Sequence, residues 1–333
     1  MTLVPLLSSC ARKEPYTKTY YEYFDTVCTV YSYADEKQKS FDANCDLISS
    51  ELEGYHRLLD IYHEYSGINN LKTINDNAGI SPVRVDGRLI DFLLYAKEMY
   101  RLTDGEMNVA MGSVLSLWHE ERDKASKDPS AASLPDSDAL TSAYAHCDIE
   151  SIVIDKEAST VYISDSLTRI DAGALGKGYA TEKIAKMLEE RGISSYVLDI
   201  GGNLRIIGTK PDGGSWRTGI TDPKNKEGGY ALCIDLSDIS CVTSGDYERY
   251  YTVDGKNYPH IIDKDTLYPA EYFSSVTVVC KDSGLADALS TALFCMSYED
   301  GAELASRLGA DAVWIFESGE MKMTDGIRNR ISE

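Results

Sequence analysis

The stretch DAGALGKG, residues 171–178, decides how the fold of this sequence is interpreted. It follows a strand-like run at residues 166–170 and precedes a helical pattern at residues 179–191. Its three glycines let the backbone approach a ligand closely, and the start of a helix offers unpaired N–H groups with a partial positive charge. Lys177 adds a full positive charge. The stretch therefore predicts a phosphate-binding turn between a strand and a helix.

Two common nucleotide-binding motifs do not fit this stretch. The pattern GxxxxGK[ST] fails on its spacing, and GxGxxG fails because Gly173 has no glycine two residues later. An ordinary glycine-rich turn before a helix remains the alternative interpretation.

Size and charge restrict the possible ligands. With 333 residues the chain can form one large or two ordinary domains, and 43% hydrophobic with 26% charged residues is typical of a soluble globular protein. The 33 basic and 54 acidic residues give a net charge of −21, which repels nucleic acid and anionic lipid. We therefore exclude general nucleic-acid binding, and a phosphate must be held by local groups or a metal.

The cysteine pattern and the N-terminal residues give information on the cellular compartment of the protein. The eight cysteines lack C-x-x-C spacing and lie mostly in apolar runs, which predicts small buried side chains and neither disulfides nor a zinc site.

Leu-Leu-Ser-Ser-Cys at residues 6–10 looks like a bacterial lipobox with Cys10 as the acylated residue, followed by a polar tether at residues 11–19. The alternative is a frayed terminus with a chance cysteine. No apolar run reaches the roughly 18 residues that a membrane-spanning helix needs.

The periodicity of the chain predicts an α+β fold, because strands follow one another with helices between them. Apolar spacing predicts helices at residues 41–65, 86–102, 179–191, 285–297 and 301–308. Alternation and β-branched residues predict strands at residues 20–33, 152–154, 161–163, 196–200, 204–207, 216–220, 230–236, 249–253, 275–279 and 312–316. Residues 123–138 are predicted to be a loop.

One histidine has the context of a general base. His260 precedes two isoleucines and Asp263, so we expect a partly buried imidazole that the carboxylate orients. The alternative is a structural histidine that the backbone satisfies. We interpret the other four as surface or packing residues: His56, His63, His119 and His146.

Asp287 and Thr291 are four residues apart on a predicted helix and therefore share a face. A carboxylate and a hydroxyl on a partly apolar face need a partner, and Mg²⁺ prefers such oxygen ligands. The alternative is an aspartate favoured by the helix dipole with a threonine that bonds back to its own helix.

Three further segments are weaker candidates. Residues 201–203 and 243–247 are predicted to be flexible turns with polar tips, and Glu106-Met107-Asn108 offers polar and soft apolar groups for the edge of an aromatic ligand.

In their order, these segments make the sequence resemble the ApbE-type FAD:protein FMN transferases. The matching pieces are residues 60–77, 103–118, 171–178, 201–208, 216–223, 244–250, 260–269 and 286–294. The resemblance implies a T-fold-like α+β architecture of mainly antiparallel sheets with packed helices, in two lobes around an FAD cleft. It also implies a leader and tether at residues 1–19 and a single domain of two interleaved lobes at residues 20–333.

The resemblance further implies an activity and a set of site residues. Members of the family bind FAD and Mg²⁺, transfer FMN to a Thr or Ser hydroxyl of a target protein, and release AMP; many are lipid-anchored outside the cytoplasm, which implies extracytoplasmic redox proteins as partners. The residues that match FAD-binding positions are Glu106, Met107, Asn108, Asp171, Lys177, Ser244 and Ile261. Those that match Mg²⁺ ligands are the Ala174 backbone oxygen, Asp287 and Thr291, and His260 matches the base.

The chain departs from the family pattern at a few positions, among them Asn203, where the family often has Asp. Two alternatives on the same scaffold stay open. One is an Mg²⁺-dependent FAD pyrophosphatase that uses water as acceptor, and the other is a non-catalytic flavin-binding lipoprotein.

Overall fold

The computed structural model describes residues 14–225, 228–247 and 249–332. The predicted lipobox with Cys10 lies outside these residues. Among the described residues, the strands in chain order are β1 (Tyr16–Tyr20), β2 (Cys28–Ser32), β3 (Val83–Arg84), β4 (Ile152–Asp155), β5 (Thr160–Ile163), β6 (Tyr196–Ile200), β7 (Asn203–Ile207), β8 (Trp216–Thr221), β9 (Tyr230–Leu236), β10 (Ser240–Gly245), β11 (Tyr250–Val253), β12 (Lys256–Pro259), β13 (Ser275–Cys280), β14 (Asp311–Ile315) and β15 (Met321–Met323).

The α-helices of the same residues are α1 (Gln38–Leu59), α2 (Leu71–Asp76), α3 (Gly87–Leu102), α4 (Gly112–Lys127), α5 (Ser137–Tyr144), α6 (Gly176–Glu190), α7 (Ser283–Phe294), α8 (Tyr298–Arg307) and α9 (Asp325–Arg328). Short 3₁₀ helices lie at Pro129–Ala131 and Ile149–Ser151. None of the described helices is both long and apolar enough to cross a membrane.

Eight strands form one antiparallel sheet in the order β1-β2-β6-β7-β10-β13-β14-β15. Smaller antiparallel sheets join β3-β5-β4, β8-β9 and β11-β12. The large sheet is open, with β1 and β15 at its edges. The α+β class and the mainly antiparallel sheets predicted from the sequence are therefore confirmed.

Both faces of the large sheet are covered. Side chains of α1 and α6 pack on β1, β2, β6 and β7, and those of α7 and α8 pack on β10, β13 and β14. The β8–β9 hairpin and α9 cover the opposite face. All six residues of β13 are buried, as expected for a strand without a solvent-facing side.

Helix α7 is buried on almost all sides, because ten of its twelve residues are buried. Its sequence SGLADALSTALF is apolar around the helix, which is typical of a helix enclosed by other elements. This position carries the polar side chain of Asp287 into the protein interior.

Several sequence predictions require correction at the level of single elements. The predicted strand at residues 20–33 is two strands joined by a turn, and residues 16–19 belong to β1 and not to a tether. Residues 166–170 form a turn with one isolated bridge between Met111 and Arg169. The predicted loop at residues 123–138 is shorter, since α4 extends to Lys127 and α5 begins at Ser137. Residues 240–245 form an interior strand of the large sheet, so the flexible turn predicted at residues 243–247 was placed too early.

The prediction of small buried cysteine side chains and the predicted β4–β5 hairpin hold, but α1 ends at Leu59 and not at residue 65, and α7 ends at Phe294 and not at residue 297. The seven described cysteines are unpaired, and all but Cys233 are buried. Helix α3 begins after Asp86, whose side chain accepts a hydrogen bond from the Arg88 N–H, and the predicted hairpin at residues 152–163 is present as β4 and β5.

Candidate active site

The glycine-rich stretch lies at the start of α6, but the helix begins at a different residue from the one predicted. The helix begins at Gly176, three residues earlier than expected, so Lys177 lies in its first turn. The Gly176 N–H donates to the Ala172 carbonyl at 2.7 Å, and the Gly178 N–H donates to Asp287 Oδ2 at 2.7 Å. These two N–H groups are therefore engaged within the protein, and the prediction that they are unpaired was wrong.

Two other groups at this helix start remain available to a ligand. Within residues 14–225, 228–247 and 249–332, no carboxylate forms an ion pair with Lys177 and no donor reaches the Ala174 carbonyl oxygen. The first group is a cation suited to a phosphate, and the second is a neutral oxygen suited to a metal ion.

Asp171 precedes the helix and is fixed by the chain around it. Its N–H donates to the Val109 carbonyl at 2.8 Å, and its Oδ1 accepts from the Gly173 N–H at 2.7 Å. The side chain of Asn75 bonds both the N–H and the carbonyl of Ile170 at 2.8 and 2.9 Å. Asn75 thus sets the position of Asp171 from α2, a role without a signal in the sequence.

Asp287 lies on α7 directly opposite the start of α6 and is 4% exposed. Burial raises the pKa of its carboxyl group, whereas the charge of Lys177 and hydrogen bonds from Gly178 and Asn203 lower it. Thr291 follows one turn later on the same face of α7 and is half-buried. The two predicted metal ligands therefore lie on the part of α7 that faces the cleft.

A buried ion pair holds α7 against α6. Glu182 of α6 accepts from Arg205 Nε at 3.2 Å and from the Ser283 N–H, in the first turn of α7, at 2.9 Å. Arg205 is fully buried and also contacts Glu189 at 2.7 Å. Since a buried charge without its partner is costly, this network fixes the helix pair that carries Lys177 and Asp287.

Asn203 is the first residue of β7 and is 1% exposed. The two-residue turn before it consists of Gly201 at φ 57° and Gly202 at φ 86°, a conformation that favours glycine at both positions. Its Nδ2 donates weakly to the Ile200 carbonyl at 3.4 Å, and its Oδ1 has no partner among the described residues. A buried oxygen without a donor beside Asp287 indicates a polar ligand at this point.

His260 follows β12 and does not contact Asp263. Its main-chain N–H and its Nδ1 each lie 3.1 Å from the Arg249 carbonyl oxygen. With Nδ1–H as the donor, Nε2 is the nitrogen that can accept a proton. Asp263 instead accepts from the N–H groups of Asp265 and Thr266 in its own turn. The prediction that Asp263 orients the imidazole was therefore wrong, and the Arg249 carbonyl has that role.

The environment of His260 keeps its ring neutral. Desolvation within the wall of the cleft lowers its pKa to about 4, and the charges of Lys177, Arg249 and Arg122 act in the same direction. At pH 7 the imidazole is therefore unprotonated. The side chain is more open than the sequence predicted, since His260 is exposed in the wall of the cleft.

The Glu106-Met107-Asn108 segment is held by its neighbours. Glu106 forms an ion pair with Lys264 at 3.2 Å; burial raises the pKa of Glu106, and Lys264 opposes this shift. Asn108 donates to the Cys147 carbonyl at 2.9 Å and accepts from the Ala110 N–H at 2.9 Å. Met107 is buried. The segment is a preformed wall with few unpaired polar groups.

All of the site residues proposed from the sequence line a single cleft, whose open volume is about 920 Å³. They are Glu106, Met107, Asn108, Asp171, Ala174, Lys177, Ser244, His260, Ile261, Asp287 and Thr291. Ser244 is positioned by a 2.8 Å hydrogen bond between its Oγ and Ser290 Oγ on α7. Tertiary structure thus gathers into one cavity residues that are up to 185 positions apart in the sequence, Glu106 and Thr291.

The cleft also contains residues that sequence reasoning missed, chiefly His119 on α4. His119 Nδ1 lies 3.1 Å from the Tyr62 hydroxyl, and burial lowers the pKa of its ring. The sequence predicts a surface or packing residue here, because no partner pattern surrounds His119. Its spacing from Leu115 on one face of α4 is the only local signal that it shares a surface with the cleft.

Comparison with known proteins gives a consistent result. The ApbE family model matches residues 24–314. The chain is 31% identical over 321 residues to an FAD:protein FMN transferase of Treponema pallidum, covering 92% of this chain and 86% of that protein. It is 28% identical over 276 residues to an FAD:protein FMN transferase of Escherichia coli K12, covering 82% and 76%. The crystal structure of the ApbE protein from Thermotoga maritima superposes with a TM-score of 0.84 at 26% identity, covering 96% of this chain and 100% of that one.

Proposed function

Because this chain belongs to the ApbE family and is an FAD:protein FMN transferase, we propose that it transfers FMN from FAD to a Thr or Ser hydroxyl of a target protein in an Mg²⁺-dependent reaction. FMN becomes attached through a phosphoester bond, and AMP leaves. The single observation that carries this proposal is the cleft itself. It brings together the unprotonated His260 imidazole, Lys177, which has no ion-pair partner among the described residues, and oxygen atoms of Ala174, Asp287 and Thr291.

The residues present fit a magnesium ion. Among the described residues, no cluster of three or more His, Cys, Asp or Glu side chains is arranged as a metal site. Mg²⁺ commonly takes only one or two protein carboxylates and completes its shell with water and substrate phosphate oxygens. Asp287 would supply the carboxylate. The Thr291 hydroxyl and the Ala174 carbonyl, which no donor among the described residues reaches, would be the neutral ligands. When bound, the ion would neutralise negative charge on the pyrophosphate.

The other steps belong to side chains of this chain. Lys177 would contact the phosphates and offset the charge that develops on the leaving AMP. His260 Nε2 would accept the proton of the acceptor hydroxyl as its oxygen attacks the phosphorus of the FMN half. The Arg249 carbonyl keeps Nε2 unprotonated by binding Nδ1–H. The wall formed by Glu106, Met107 and Asn108 would orient the dinucleotide.

The test is incubation with FAD, Mg²⁺ and a panel of extracytoplasmic redox domains, followed by in-gel flavin fluorescence and analysis for AMP. Fluorescence on a target together with AMP supports the transfer reaction. Release of free FMN and AMP, with no labelled target, would indicate FAD hydrolysis, and the absence of every product would indicate binding alone.

We expect Asp287→Asn to abolish stabilisation by Mg²⁺ without unfolding the metal-free protein. The asparagine amide keeps an oxygen that can accept from the Gly178 N–H. The substitution also removes a carboxyl group whose pKa is raised by burial, so the metal-free protein loses no favourable charge. The measurement is the melting temperature with and without Mg²⁺ and FAD. Serial dilution of Mg²⁺ in the transfer assay is the second check.

Lys186→Gln serves as the control for a lost charge near these helices, since Lys186 is half exposed and contacts Glu182 and Asp282. It should keep the Mg²⁺-dependent rise in melting temperature. A normal Mg²⁺ response in Asp287→Asn would remove this residue from the ligand set.

We also propose that the mature protein is anchored by acylation of Cys10 to the outer face of the bacterial cytoplasmic membrane. The motif at residues 6–10 and the absence of a spanning run in the sequence support this. Since one acyl chain anchors weakly, a di- or triacylated cysteine is expected.

Expression with a full lipoprotein signal should place the wild-type protein in the membrane fraction and Cys10→Ala in the soluble fraction. The measurement is detergent-free fractionation with metabolic labelling by a clickable fatty acid. Equal distribution of the two proteins, or no label on the wild type, would contradict the anchor.

A further inference from the structure

We propose that the acceptor polypeptide binds as an extended segment in a surface groove between α4 and β11, with its hydroxyl-bearing residue at His260. This inference rests on the proposed transfer function and assigns a separate surface to the second substrate. Its partner is defined by chemistry: a polypeptide in extended conformation that carries a Thr or Ser.

The groove has two walls of different structure. Helix α4 supplies Arg122, Asp123, Ala125 and Ser126, and β11 with the residue before it supplies Arg249, Tyr250, Tyr251 and Thr252. Asp25 and Pro129 complete the lining. The open space is about 1260 Å³, including its solvent-filled mouth. This surface is distinct from the cleft, because no residue lines both.

A narrow neck connects the groove to the cleft. The open space between its lining residues, including adjoining solvent, is about 280 Å³. It shares Leu115, His119 and His260 with the cleft, and it shares Arg122, Arg249, Tyr250 and Tyr251 with the groove. His260 therefore lies where the neck joins the cleft, and a ligand in the groove reaches its ring through the neck.

One face of α4 runs along the whole path. Leu115, His119, Arg122 and Ser126 follow at spacings of four, three and four residues, which places them on one side of the helix. Trp118 is buried, lines the neck from α4, and donates its indole N–H to the Leu267 carbonyl at 3.0 Å. This contact fixes α4 relative to the turn that follows His260, so the width of the neck is set by packed structure.

The chemistry of the acceptor requires such a groove. In Thr and Ser the hydroxyl is one carbon from the main chain, so the main chain itself must pass close to His260. Polypeptide on both sides of the acceptor residue then needs room. FAD would fill the cleft, and the neck and the groove are the space that continues from His260 outside the cleft.

The β11–β12 hairpin provides a fitting wall for an extended chain. Among the described strands, β11 pairs only with β12, so its second edge has no strand partner. Main-chain N–H and carbonyl groups at such an edge can pair with an added strand. Recognition of this kind tolerates different side chains in the acceptor and depends on its extended conformation.

The test uses two bulky substitutions on facing walls, Ser126→Trp on α4 and Thr252→Trp on β11. Both residues are exposed, and neither lines the cleft. Ser142→Trp is the matched control, because Ser142 is exposed on α5 and lines neither space. The probe is the acceptor domain that wild-type enzyme labels in the transfer assay. The readouts are KM for this domain, the Kd for FAD and the melting temperature.

Both groove variants should raise KM for the acceptor by about tenfold or more, the size expected when a bulky side chain removes a central contact. The Kd for FAD and the melting temperature should match those of wild type, and the control should change none of the three. An unchanged KM in both groove variants would overturn the groove proposal alone. A weakened Kd for FAD would overturn it in favour of a donor site. If wild type labels no acceptor at all, the transfer function fails, and the groove proposal falls with it.

Discussion

Substitution of His260 by alanine should lower the rate of flavin transfer by about 10²–10⁴-fold, the usual cost of losing a general base. The imidazole is unprotonated at neutral pH, and its Nδ1 is occupied by the Arg249 carbonyl, so Nε2 is ready to accept a proton. A Thr or Ser hydroxyl gains from such a base because its own pKa is far above neutrality. The affinity for FAD should change little, since the other cleft residues keep their positions.

The measurement is single-turnover transfer at several FAD concentrations. A defect in chemistry persists at saturating FAD, whereas a defect that more FAD cures would make His260 a binding residue. His146→Ala is the control, because this histidine contacts Asp165 at 2.6 Å and lines none of the three spaces described above.

The pH profile of the wild-type enzyme gives a second check on the same residue. Because the pKa of His260 is lowered to about 4, the basic form persists above that value and is lost as pH falls through it. We expect kcat/KM to show no loss attributable to His260 between pH 8 and about pH 5. If His260→Ala retains activity, His119 is the next candidate base, since it lines the cleft and Asp263 is committed to its own turn.

Substitution of Gly178 by alanine should remove Mg²⁺-dependent activity and destabilise the protein. A methyl group at this position would lie 2.3 Å from Asp287 Cβ and 2.5 Å from the Ser283 carbonyl oxygen. Helices α6 and α7 would have to separate at the point where Gly178 contacts Asp287. Overpacking of this kind costs about 1–3 kcal/mol, and a displacement of about 1 Å at a site can lower its rate about 10²-fold.

The control for Gly178→Ala is Gly87→Ala at the first residue of α3. No atom lies within 4 Å of the added methyl group at Gly87. Without a clash, alanine in a helix is favoured over glycine by up to about 1 kcal/mol, so Gly87→Ala should be neutral or stabilising. Urea unfolding and Mg²⁺-dependent transfer are the measurements. Wild-type stability and activity in Gly178→Ala would show that α6 and α7 can separate without harm.

Local sequence was sufficient where a structure depends on neighbouring residues. Apolar spacing predicts a helix at residues 86–102, and α3 is found at Gly87–Leu102 with Asp86 as its N-cap. The spacing of Asp287 and Thr291 predicts a shared helix face in the same way. The order of the motifs was sufficient for the family, which the comparisons confirm.

The same local reasoning failed where a group had a choice of partners. Asp263 is three residues from His260 but bonds the N–H groups of its own turn. The sequence predicts that the Gly178 N–H is free to bind a phosphate. In the structure it donates a hydrogen bond to Asp287, which is 109 residues away in the sequence. Neither choice is encoded in spacing, because each depends on which distant element packs alongside.

The α+β class, the positions of most helices and strands, the family, and a set of candidate residues on separate segments could all be predicted from the amino-acid sequence. Only the tertiary structure decided that these segments enclose one cleft, that the Arg249 carbonyl and not Asp263 orients His260, and that His119 and the orphaned Asn203 oxygen share the cavity. The difference arises from the distance along the chain over which each interaction acts. Helix caps, turns and apolar periodicity act over a few residues, whereas the environment of a buried polar group is set by elements brought together when α6 and α7 pack on the large sheet.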